Sequence, residues 1–129
     1  DWGSHDIEHE LSAVYDCTHG AGLAMVVPAW MTYNLKHDVN RFVQLAVRVW
    51  GCQMDFQNPE VTARAGIRAL KNFLRSIGMP LNFGEIGAKE EDIKKMAHTA
   101  CYGNGRKGTV GKFVRLGEED VEKIYRLML

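Results

Sequence analysis

Apolar residues recur along this chain at helical spacing and almost nowhere alternate strictly. In residues 3–15, Ile7, Leu11 and Val14 fall at i, i+4 and i+7 and make one stripe. Asp16-Cys17-Thr18 breaks that pattern, and Thr18 is placed to cap a second helix. The second segment runs through Ala21, Leu23, Ala24, Met25, Val26 and Val27 towards Leu35. It is apolar nearly all round, which predicts the central, buried helix. Pro28 lies inside it, lacks an N–H, and is expected to kink or interrupt it. Asp38 can cap a third helix over 39–50, with Phe42, Leu45, Ala46 and Val49 turned inward and Gly51 ending it. Asn58-Pro59 is a cap followed by proline at the first helical position, the start of a fourth helix that ends at Gly78. Its inward row is Ala63, Ile67, Leu70, Leu74 and Ile77, and its outward row Arg64, Arg68, Lys71 and Arg75. An irregular stretch with Pro80, Gly84 and Gly87 precedes a helix over about 90–102. The last helix, over 118–128, presents Val121, Ile124, Tyr125 and Met128 to a core. It opens acidic and continues basic, as the helix dipole favours. The pattern predicts an all-α, bundle-like domain of about six helices over 1–129, with no repeat and no internal boundary.

Composition narrows the classes. Sixteen Lys and Arg offset sixteen Asp and Glu, so the net charge is zero. That removes a generally basic nucleic-acid binder and an acidic tail. A hydrophobic fraction of 46% excludes disorder, and no apolar run reaches the roughly 18 residues of a membrane span. Cys17, Cys52 and Cys101 are odd in number and unclustered, which predicts free thiols and the cytoplasm. The chain starts at Asp1 without a methionine and runs straight into a patterned segment, as expected of a piece of a longer protein.

Histidine placement carries the chemistry. Three of the five histidines, His5, His9 and His19, lie near the start. His5 and His9 are four apart, so both rings leave one face of a helix about a turn from each other. A hairpin or sharp bend at 16–18 can bring His19 back to the same place. Imidazole suits Zn²⁺ and Fe²⁺, so H-x3-H-x9-H is compatible with a metal site; it is equally compatible with surface histidines on a polar face. The order is not H-E-x-x-H, against the common metalloprotease helix. Asp1 stands four before His5 and is a weak further candidate. Gly20, Ala21 and Gly22 permit a close approach to the start of the second helix, either for an anionic oxygen at its free N–H groups or for plain helix packing.

Other features read as structural. The Arg64, Arg68, Lys71, Arg75 row is a solvated face. The 103–108 segment is glycine-rich, but lacks the G-x4-G-K-[ST] order and follows no strand, so it is no phosphate loop. His37 and His98 stand alone. Cys17 is expected to be a buried, inert thiol. Trp2 and Trp30 line either a substrate side or the core.

The stretch from Asp1 to Ala13, DWGSHDIEHELSA, followed by Thr18-His19-Gly20-Ala21-Gly22-Leu23-Ala24, closely resembles the iron-containing (group III) alcohol dehydrogenases, in particular their NAD(P)H-dependent butanol dehydrogenase branch. Arg41-Phe42, Val49-Trp50-Gly51, Phe73-Leu74, Gly78-Met79-Pro80, Glu119-Asp120-Val121 and Ile124-Tyr125 continue the likeness, so it covers nearly the whole chain. The resemblance implies the C-terminal helical half of a dehydroquinate synthase-like two-domain enzyme. The N-terminal dinucleotide-binding domain, which would bind most of the NAD(P)H, is then absent from these residues. It implies a divalent metal, Fe²⁺ or Zn²⁺, held by His5 and His19 together with an Asp and a His from an upstream D-x3-H pair. His9 falls on a further active-site histidine that faces substrate and nicotinamide. A small alcohol or aldehyde is the implied substrate, a homo-oligomer the implied assembly, and neither nucleic acid nor membrane a partner. These residues alone are then expected to have little or no dehydrogenase activity. Two readings outside that class remain: a free-standing helical interaction module without metal, and a metal-dependent hydrolase.

Overall fold

Helix α1, Gly3–Tyr15, ends where Asp16 turns into the left-handed region at φ 50° and its N–H donates to Ser12 O at 3.1 Å. Asp tolerates that conformation better than most residues, and the turn folds the next helix back on α1. That helix, α2, is His19–Asn34. Four more follow: α3 Val39–Arg48, α4 Pro59–Ser76, α5 Ile93–Tyr102 and α6 Glu118–Arg126. Short 3₁₀ turns lie at Phe83–Ile86, Glu90–Asp92 and Gly103–Gly105. This computed structural model describes residues 1–129 and contains no strand, only one antiparallel bridge between Val110 and Leu116. No helix is long and apolar enough to cross a membrane.

The helices pair in chain order, α1 with α2, α3 with α4 and α5 with α6, and α2 also touches α4 and α6. The larger core joins Ile7 and Leu11 of α1, Met25, Val26 and Ala29 of α2, and the inner faces of α5 and α6. The smaller core sets Met31 of α2 and Leu35, which caps it, against Phe42, Ala63 and Ile67. Helix α2 therefore serves both cores, and Trp30 packs against each, which is why its surface is apolar on nearly every side. Tyr125 is fully buried and donates its hydroxyl to Ile7 O at 2.6 Å, tying α6 to α1. Helices α3 and α4 meet at Gly66, where a Cβ would stand 2.8 Å from the Ala46 Cα.

Asp1 fixes the start of α1. One carboxylate oxygen accepts from Gly3 N at 2.6 Å, and the other from Lys112 N at 3.1 Å and Phe113 N at 2.6 Å. Its oxygens thus clasp the loop before α6 instead of reaching with His5 towards a shared ion. All three cysteines are free.

Of the two outcomes expected at Pro28, a kink or an interruption, interruption does not occur: α2 runs on to Asn34, both cores hold it, and their burial outweighs the roughly 3 kcal/mol a proline costs a helix interior. Three inward assignments need correction. Val14 and Ile77 are half exposed, at the C-terminal ends of α1 and α4. Val49 is 62% exposed, since α3 already ends at Arg48. Spacing marks the apolar face but not how far the opposite helix extends.

Candidate metal centre

Helix α1 projects His5 and His9 from one face, one turn apart, and the hairpin returns His19 at the first position of α2. The three rings gather. The centroid of His19 lies 5.4 Å from that of His5 and 5.6 Å from that of His9. Two imidazoles that share one tetrahedral ion, at metal–nitrogen distances of about 2.0–2.1 Å, have centroids roughly 5 Å apart. Both pairs fit that separation, so spacing within the cluster suits a divalent ion and does not by itself choose between His5 and His9. Trp2, 59% exposed, stacks on the His5 ring at 4.3 Å and 13°. The Ser4 hydroxyl lies 3.4 Å from His5 Nδ1.

Sequence reasoning missed Glu8. Its side chain is fully buried between α1 and α2. One carboxylate oxygen pairs with His19 Nδ1, and the other accepts from the Ser12 hydroxyl at 2.5 Å. Ser12 Oγ also lies 3.0 Å from Cys17 O, so its one proton has two acceptors in reach, the carboxylate and the hairpin turn. Glu8, His9 and His19 together form the one group of three metal-capable side chains close enough to share an ion. Gly22 makes room: a Cβ there would stand 2.7 Å from Glu8 Cγ. The close approach foreseen at Gly22 is therefore real, and what approaches is a carboxylate in the first turn of α2, where the helix dipole favours negative charge. Gly20 has open space instead. The signal for Glu8 was present but faint: Ser4, Glu8 and Ser12 make a row at i, i+4 and i+8 beside the apolar stripe, facing the small residues of the next helix.

Charges around α1 are also arranged. Arg106 reaches Asp6 at 2.6 Å, both mostly buried, and fastens the loop after α5 to α1. Burial pushes the Glu10 carboxyl up, opposed by Arg106 and His9. Burial likewise raises the Cys17 thiol, opposed by Ser12, which keeps it protonated near neutral pH.

The remaining candidates lie elsewhere. His37 meets the edge of Phe113 at 4.9 Å, and His98 bonds Glu118 at 3.1 Å over the Tyr102 ring. Arg64 pairs with Glu60 and Arg75 with Glu85 on the exposed side of α4. Of the two tryptophans singled out, Trp30 belongs to the cores and Trp2 to the histidine cluster.

Comparison with known proteins adds an independent line. The family model described as "Fe-containing alcohol dehydrogenase family, C-terminal" matches residues 1–129. NADH-dependent butanol dehydrogenase A of Clostridium acetobutylicum is 38% identical over 126 residues, which is 97% of this chain and 32% of that protein. Probable NADH-dependent butanol dehydrogenase 1 of Bacillus subtilis is 37% identical over 129 residues, 100% of this chain and 32% of that protein. Among solved structures, NADH-dependent butanol dehydrogenase A from Thermotoga maritima superposes with a TM-score of 0.90 at 35% identity, over 99% of this chain and 33% of that one. The chain thus spans about a third of the length of the relatives it matches.

Proposed function

The chain belongs to the Fe-containing alcohol dehydrogenase family, to its C-terminal part, and from that premise we propose that it is the metal-holding helical domain of an NAD(P)-dependent enzyme interconverting primary alcohols, such as butanol, with their aldehydes. A separate N-terminal domain binds the dinucleotide and adds an Asp and a His to the site. His5 and His19 hold the divalent ion, Fe²⁺ or Zn²⁺, from this side. The enzyme is cytoplasmic and assembles from copies of itself. The observation that carries this reading is the convergence of three imidazoles on one spot from two helices. Nothing favours an interaction module or a hydrolase.

The donor set suits the ion. His19 gives Nδ1 to Glu8, which leaves Nε2 as its lone-pair nitrogen, and its side chain is half exposed. A bound divalent metal supplies Lewis acidity towards an alcohol or carbonyl oxygen, and the nicotinamide supplies the hydride chemistry. The residues here do the rest. His9 takes or returns the proton of the substrate hydroxyl. Trp2 covers one face of the His5 ring. Asp1 and Arg106 hold α1 in register with the loops beside it.

The test uses the full-length protein. His5→Ala and His19→Ala are each expected to weaken Zn²⁺ or Fe²⁺ binding and butanal reduction by more than about 100-fold, with helical content unchanged. His9→Ala is expected to keep the metal and lose turnover. Metal content and turnover unchanged in His19→Ala would overturn the reading.

A further inference from the structure

We propose that Glu8 is the positioning residue of the metal centre: it fixes the ring orientation and tautomer of His19, so that Nε2 is the nitrogen presented to the ion. This rests on the function proposed above and adds a residue to it.

Four observations lead to Glu8. The side chain is completely buried, while its partner His19 is half exposed. Its two oxygens have separate partners, His19 Nδ1 and the Ser12 hydroxyl. Gly22 leaves a notch in α2 that any larger residue would fill. Ser12 Oγ sits between that carboxylate and Cys17 O at the turn, so the support lies against the hairpin itself.

The arrangement is costly for the fold alone. A carboxylate taken out of water loses its hydration, and a well-packed apolar side chain at the same place is often as stable or more so. Helix α1 already has Ile7 and Leu11 to hold it against the core. A buried glutamate between two helices, with a glycine opposite to admit it, is explained by what it does to His19. A carboxylate that accepts Nδ1–H makes Nε2 the basic nitrogen, raises its donor strength and stops the ring from turning. Glu8 does not act as the ligand in this scheme, because both of its oxygens are engaged and it has no exposed surface, whereas His19 has. His9 and His5 have no carboxylate of this kind at their ring nitrogens, which sets His19 apart.

The experiment measures Zn²⁺ affinity of the full-length protein by competition with a chromophoric chelator. The visible absorption of the Co²⁺-loaded form and the melting of the metal-free form are recorded alongside. Glu8→Gln keeps the shape and removes the charge; Gly22→Ala leaves the charge and crowds it out of place. Both are expected to weaken Zn²⁺ binding about 10- to 100-fold and to alter the Co²⁺ spectrum. Metal-free Glu8→Gln is expected to melt with the parent protein. Zn²⁺ affinity and Co²⁺ spectrum of folded Glu8→Gln within twofold of the parent would overturn the proposal. So would a loss of affinity that merely follows a loss of metal-free stability. His19→Ala separates the two levels. If it abolishes binding while Glu8→Gln does not, only the role of Glu8 fails; if it too leaves affinity unchanged, the metal reading fails with it.

Discussion

Tyr33 illustrates how single residues here hold helices together at a distance. Its hydroxyl donates to Asp120 at 2.6 Å and joins α2 to α6. Burial first, and then that bond, pushes the hydroxyl up to about 12 from an ordinary 10. A proton held more tightly in the folded chain stabilises the fold below the unfolded value, and the contribution disappears as pH rises through the folded one. Tyr33→Phe is therefore expected to cost about 1 kcal/mol at neutral pH. In melts followed by circular dichroism, that deficit should vanish between pH 10 and 12. A constant deficit across the range would mean that packing, not the bond, sets the effect. Cys101 lies at the other extreme: burial raises its thiol to about 11, which makes it inert core. His5 and His9 were legible as a pair because their spacing is a property of the helix, and His19 as a candidate because it follows the break at 16–18. Glu8 left only a faint signal, because an acidic residue beside an apolar stripe reads as solvated until its burial is known.

At the scale of elements, all six helices were legible, with ends within a residue or two for most. Caps and breakers are local, so Asp38, whose side chain accepts from Arg41 N, and Asn58-Pro59 announce α3 and α4 without help from the fold. Contacts between helices are another matter. The α3–α4 pair depends on a glycine in mid-helix, which local propensity counts only as a weakness. Gly66→Ala removes that weakness, worth about 1 kcal/mol, but drives a methyl into the Ala46 backbone. Overpacking of this kind costs about 1–3 kcal/mol. The net expectation is a loss of about 1 kcal/mol, read as a fall in Tm of roughly 3–5 °C. A higher Tm would show that the two helices can slide apart at little cost.

At the scale of the molecule, the proposal makes these histidines half of a larger site, completed by a second domain. Two histidines from one domain bind a divalent ion far less firmly than a complete ligand set. Residues 1–129 expressed alone are expected to be folded and helical, to hold Zn²⁺ much more weakly than the full-length protein, and to reduce no butanal with NADH. Turnover by the isolated chain would end the two-domain reading. Within these residues, the sequence by itself determined the helices, the face each one buries and the rank of α2 as the central element, since periodicity and caps act over a few residues. Only the tertiary structure decided that His19 returns to His5 and His9, that Asp1 serves a loop, and that a buried carboxylate stands behind His19. Those outcomes depend on the angle and closeness of two packed helices, set jointly by Asp16, Gly22 and the larger core, and no local stretch of sequence encodes them.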